Sequence, residues 1–250
     1  MRLSRSTNPV LSKTVFSGAR QSTASTGVMT IQGTVNKIAI MLLLVVLAAA
    51  YTWGYMDEGN LSTMQTYMIV GGIGGFITAL ITVFKATWSP VTAPIYSVLQ
   101  GLFLGGISAF FNQKYPGIVI NAVTLTFGTL FALLFLYKTG IIKVTQKFRM
   151  GVLAATGGIA LAYFLSFILG IFGVNIGFMH SNGPLGIIIS LVVVIVAALN
   201  LVLDFDFIES GAKAGAPKFM EWYGAFGLMV TLIWLYIEFL RLLAKLSSRD

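Results

Sequence analysis

The sequence predicts an all-α, polytopic membrane bundle of seven transmembrane helices, and three observations carry that expectation. Hydrophobic residues make up 57% of the 250-residue chain and charged residues only 10%, against roughly 25% charge in a soluble domain. Seven apolar stretches each approach or exceed the roughly 20 residues that cross a hydrocarbon core. Lys and Arg fall almost entirely on one side of the alternating segments, as the positive-inside rule requires.

In chain order, residues 1–33 are polar, rich in Ser, Thr and Arg, and lack any acid. They read as a cytoplasmic N-terminal tail ahead of a transmembrane domain over 34–250. A transit peptide has a similar composition, and no signal-peptide apolar core precedes Val35. The spans are expected at 35–55, 66–84, 94–111, 118–137, 150–172, 184–209 and 225–246. Pro94 and Pro184 suit first-turn positions, where the missing N–H costs nothing.

Charge sets the orientation. With the N-terminus inside, twelve of the sixteen Lys and Arg residues are cytoplasmic, and Lys114 alone lies in the opposite loops. Arg241, Lys245 and Arg249 sit at the C-terminus, which seven full spans place outside; a re-entrant last helix would return it. The net charge of +8 is thereby explained by topology, and no nucleic-acid partner is needed. The expected partners are the lipid bilayer, cations and protons.

Glycines mark helix contacts. Gly71 and Gly75 in "GGIGGF", and Gly101 and Gly105 in "GLFLGG", have the four-residue spacing that lets helices approach closely in lipid. The first string also brushes a nucleotide-binding pattern, but it lies inside an apolar span with no preceding strand. Trp53, Tyr55, Tyr115, Trp222 and Tyr223 fit interfacial belts.

The acids are the candidate functional residues. The stretch 184–197 carries no charge, and then Asp204, Asp206 and Glu209 arrive within six residues. Glu238 lies in the apolar "LYIEFLRLL" of helix seven. An acid in hydrocarbon costs about 2.5–3.5 kcal/mol on insertion scales, so it is protonated, paired or wet. Asn200, Asp204 and Ile208 share one helix face, and Asp206 and Glu209 another. A carboxylate from helix six beside Glu238 would share a proton with it, and when ionised the pair would offer oxygens to Ca²⁺. Simpler readings stand beside this one: Asp206 and Glu209 reach water and pair with Lys213, and Glu238 pairs with Arg241 three residues on. Should helix six stop at Ser210, Glu238 lies further across the membrane than Asp204. The two meet only if helix six runs past Gly211 or helix seven starts well before Ala225.

Enzyme chemistry is not expected. The chain has no cysteine and one histidine, His180, so thiol chemistry and a zinc pair are excluded. Asp204 and Asp206 share one helix, unlike an intramembrane aspartyl protease, and Lys245 lies too near a helix end for a retinal lysine. No cofactor is implied. A proton-coupled carrier ranks last, because no internal repeat is visible.

The strings "TNPVLSKTVF" and "MTIQGTVNK", then "SPVTAPIYSVLQGLFLGGISAFF", "LDFDFIE" and "MEWYGAFGLMVTLIWLYIEFLRLL", together resemble a prokaryotic member of the transmembrane Bax inhibitor motif family over nearly the whole chain. The resemblance implies a seven-helix bundle with a central last helix. It also implies a pH-sensitive Ca²⁺ leak gated by one acid on each of the last two long helices. Those acids map to Asp204, with Asp206 as the alternative, and to Glu238, where "LYIE" replaces Leu-Tyr-x-Asp. The link between them is longer than the family's. Lys85 is the one match to a basic latch near the end of helix two. The expectation is therefore a Ca²⁺ leak channel in a bacterial plasma (inner) membrane. Asp204 and Glu238 form its ion-binding gate, Asp206 and Glu209 its mouth, and Asn200 and Arg241 supply polar support. The alternative is a non-transporting membrane regulator that binds a protease or stress-pathway partner.

Overall fold

The computed structural model describes residues 27–173 and 183–248. Most of the expected tail, and His180, lie outside these residues. The described chain forms seven long helices: α1 (Ile31–Asp57), α2 (Leu61–Phe84), α3 (Ser89–Lys114), α4 (Ile118–Lys138), α5 (Gln146–Ile171), α6 (Pro184–Lys213) and α7 (Met220–Ser247). All seven are long and apolar enough to cross a membrane. The expected fold class is borne out.

Polar caps rather than hydropathy set several helix starts. Thr30 accepts a hydrogen bond from the Gly33 N–H and starts α1, four residues before the expected position. Asn60 and Thr145 do the same for α2 and α5, satisfying donors that a first turn leaves open. Pro184 is the first residue of α6, as expected. Pro94 is not at a first turn: α3 begins at Ser89, Pro90 takes that place, and Pro94 lies inside the helix. Between α6 and α7 the chain reverses at Gly215, whose φ of +64° is open to glycine at little cost.

Antiparallel alternation divides the bundle into two ends. The starts of α1, α3, α5 and α7 and the finishes of α2, α4 and α6 share one end. Lys37, Lys85, Lys138, Lys147, Arg149, Lys213 and Lys218 gather there, so it is called the basic end. The last helix is central. It packs on α6, α1, α4 and α3 and holds more of the largest fully buried side chains than any other helix, among them Met229, Leu235 and Leu240. It runs unbroken for 28 residues, or about 42 Å at 1.5 Å per residue, so it is long enough to cross the bilayer in full and has no break at which a re-entrant helix would turn.

The expected glycine contacts are present. A Cβ on Gly71 would strike the backbone of Leu99 and Phe103, and one on Gly75 would meet Gln100. Gly101 and Gly105 lie against the backbone of Val45 and Ala49. Thus α3 is held between α2 and α1 by close backbone approach, which is how helices associate in lipid without a hydrophobic driving force.

Helix α5 is the exception. It packs chiefly on α6, and Val152 is its one buried residue.

Candidate functional site

The acids of α6 and α7 sort into three settings. Asp204 lies between α6 and α7. Its residue is only partly exposed, and its Oδ2 is buried without a hydrogen-bond partner. Its neighbours across the interface are the Thr231 hydroxyl and Gly227, where an added Cβ would lie 3.8 Å from Oδ1. A carboxylate oxygen closed off from water without a donor is costly, which makes this the least satisfied acid of the transmembrane bundle.

Asp206 and Glu209 point elsewhere. Asp206 pairs with Arg149 at the start of α5. Glu209 accepts from the Tyr137 hydroxyl at 2.8 Å and pairs with Lys213 on its own helix, with Lys138 at 3.9 Å. Together they tie α4, α5 and α6 at the basic end.

Glu238 is 1% exposed and fully engaged. It accepts from Arg241 at 3.0 Å, from the Tyr163 hydroxyl at 3.2 Å and from the Trp234 ring nitrogen at 3.3 Å. The expected pair of Asp204 and Glu238 is therefore not formed. Both helix extensions occur, either of which was expected to permit the pairing, since α6 reaches Lys213 and α7 starts at Met220. The register still prevents it. Asp204 faces Gly227 and Thr231, so Glu238 lies seven to eleven residues further along α7, about 10–16 Å at 1.5 Å per residue. The two oxygens sets do not form a Ca²⁺ cage, and no group of three or more acidic or histidine side chains suited to a metal exists among the described residues. Lys85 also departs from expectation: it lies over its own Trp88 ring at 4.7 Å and pairs with none of these acids among the described residues. The turn at Ala86–Trp88 folds it back there.

A different arrangement brings most of the expected residues together. On α5, Arg149, Thr156 and Tyr163 recur every seven residues, which keeps them within about 20° of one face. Arg149 bonds Asp206, Thr156 accepts from the Asn200 side-chain amide at 2.8 Å, and Tyr163 donates to Glu238. Arg241 lies 5.5 Å over the Tyr163 ring. These three polar rungs, about 10 Å apart, hold a helix with little apolar packing. Sequence reading found the partner of each rung on α6 or α7, namely Asp206, Asn200 and Glu238, but not Arg149, Thr156 or Tyr163. Their heptad spacing was the available signal.

Because the rungs are few, breaking one should loosen α5 measurably. Arg149→Ala should raise hydrogen exchange in α5 several-fold with little change in α1 or α3. The exchanged pair Arg149→Asp with Asp206→Arg should recover much of the protection. Equal exchange in Arg149→Ala and wild type would show that the rung does not hold α5.

One acid was missed altogether. Glu221, in the first turn of α7, is 0% exposed. It accepts from the Thr30 N–H at 3.0 Å and the Thr30 hydroxyl at 2.8 Å, and pairs with Lys218 at 2.7 Å and Lys37 at 3.4 Å. A carboxylate at the start of α1 also complements that helix's dipole. Gly33 makes room for it: any Cβ there would collide with the Glu221 carboxylate. Beside it, Met29 donates its N–H to the Ala216 carbonyl and Lys218 donates to Gly27, forming an antiparallel bridge of Val28 with Pro217. The end of the expected free tail, 28–30, is thus docked against the α6–α7 turn.

This fold and site define a polytopic membrane protein built around a buried last helix, with acids held inside and at one end of the bundle. The family described as Bax inhibitor 1 like matches over residues 8–248, and the chain belongs to that family. No curated protein and no solved structure matches it.

Proposed function

We propose that the protein is a pH-sensitive cation leak channel, with Ca²⁺ as its permeant ion, in a bacterial plasma membrane with the basic end and N-terminus cytoplasmic. The observation that carries this reading is Asp204: a carboxylate between α6 and α7, the most buried long helix, with one oxygen that no donor satisfies. Such a group gains by taking a proton or by contacting a passing cation, and the two compete for the same oxygens. The role expected of a shared pair passes to Asp204 alone. Glu238 serves with Arg241 and Tyr163 to hold α5, and the Arg149–Asp206 and Glu209–Lys213 pairs close the cytoplasmic mouth. The cation is cargo in this scheme, and the protein performs no covalent chemistry.

The test is Ca²⁺ flux into proteoliposomes across a series of pH values. Wild type should show flux that changes with pH. Asp204→Asn should lower the flux by about tenfold or more, since a charge-assisted contact is worth about 1.5–3 kcal/mol, and should flatten the pH profile. Glu238→Gln should leave the profile's shape intact. Equal, equally pH-dependent flux from wild type and Asp204→Asn would remove the proposal. Flattening by Glu238→Gln as complete as by Asp204→Asn would restore the paired gate.

A further inference from the structure

Away from the acids, a cavity of about 460 Å³ lies between α1, α3, α4 and α7 toward the end opposite the basic one. It runs along α1 from Leu42 to Asp57, about 22 Å at 1.5 Å per residue. One leaflet of hydrocarbon is about 15 Å, so the cleft reaches from the interface to the depth of the midplane. Val46 and Ala50 of α1 and Val123 of α4 line it and are exposed. It therefore opens sideways between α1 and α4, toward lipid.

Its wall offers nothing to a polar occupant. Ser108 and Tyr236 bond each other at 2.7 Å, and Thr126 donates to the Ala122 carbonyl at 2.7 Å. The remaining lining is apolar except at the mouth. There Trp53 sits one turn inside Asp57, and Asp57 is the one charged residue in the lining. Asp57 is the last residue of α1, where the helix dipole disfavours a carboxylate and a cation would offset that cost. Glu58 follows it. The chemistry is a hydrocarbon slot with a negative rim.

We propose that this cleft binds one acyl chain of a phospholipid whose headgroup carries an ammonium, with that ammonium at Asp57. A chain fills the slot without unpaired polar atoms. An aminophospholipid places its positive nitrogen at the interface, where Asp57 ends the helix. An anionic lipid would set like charges together. The site is independent of Asp204 and of ion flux.

The experiment uses Trp53 as reporter. The chain has four tryptophans, and Trp88, Trp222 and Trp234 are replaced by Phe. The single-tryptophan protein is reconstituted with phosphatidylethanolamine and phosphatidylglycerol, the brominated chains being carried by one or the other. Half-maximal quenching of Trp53 should need about tenfold less brominated phosphatidylethanolamine than brominated phosphatidylglycerol. Asp57→Asn should remove that preference, and Ala50→Phe should weaken quenching by both lipids. Native mass spectrometry of the unsubstituted chain should retain one phosphatidylethanolamine, lost in Asp57→Asn. The proposal is overturned if the two lipids quench alike in wild type, if the preference survives Asp57→Asn, or if a dimer of the chain shields Trp53 from both.

Discussion

Replacing Glu221 with Leu should unfasten the start of α1 from the start of α7. The carboxylate is fully buried and serves four groups at once: the Thr30 N–H and hydroxyl, Lys218 and Lys37. Removing one partner of a buried ionic cluster costs about 3–5 kcal/mol, because the others are left uncompensated. Part of that cost is relieved here, since the side chains of Lys218 and Lys37 are 46% and 23% exposed and can turn to water. Thr30 is itself exposed, so its N–H and hydroxyl lose a fixed acceptor and must exchange it for water. Unfolding in detergent micelles should show a loss of about 3 kcal/mol. Amide exchange over 28–34 should rise steeply while the centre of α3 stays protected. Glu221→Gln keeps an oxygen for Thr30 and gives up only the charge, so its loss should be smaller. Unchanged exchange over 28–34 in Glu221→Leu would show that the bridge of Val28 with Pro217 and the buried Met29 hold the segment without the acid.

Glu221 also shows where sequence reading reaches its limit. The class of fold was legible because crossing a bilayer demands about 20 apolar residues, a local property. The glycine contacts were legible because small residues every four positions have few other uses within a span. Helix starts were displaced: the Thr30 cap starts α1 ahead of Val35, and α7 begins at Met220 rather than Ala225 without any side-chain cap. Four acids were found by their cost in lipid, and two partners one turn along the same helix were legible, Lys213 for Glu209 and Arg241 for Glu238; partners on other elements were not. Asp206 meets a base 57 residues earlier, and Glu221 meets Thr30 across 191 residues. The register of two antiparallel helices decides whether Asp204 meets Glu238 or Thr231, and hydropathy does not fix that register. Composition places acids in a membrane; only packing says which of them are already satisfied.

Gly101→Leu should force α1 and α3 apart. A Cβ at this position would lie 2.5 Å from the Val45 carbonyl oxygen and 2.7 Å from the Ala48 Cβ. The first of these is backbone, so no rotamer change relieves it, and the whole of α1 must shift. Overpacking that side chains can absorb costs about 1–3 kcal/mol; here the loss should reach or exceed the top of that range. Helix α3 also carries Gly71 and Gly75 contacts on its other side, so a shift of α3 away from α1 would press on α2. Gly128→Ala on α4 makes the comparison, because nothing lies within 4 Å of a Cβ there. That change should be neutral or stabilise by up to about 1 kcal/mol, as alanine loses less backbone entropy in a helix than glycine. Thermal midpoints in micelles should therefore move in opposite directions for glycine substitutions in these two spanning helices. A small, equal shift for both would mean that α1 and α3 are held by side-chain contact and not by the close approach of their backbones.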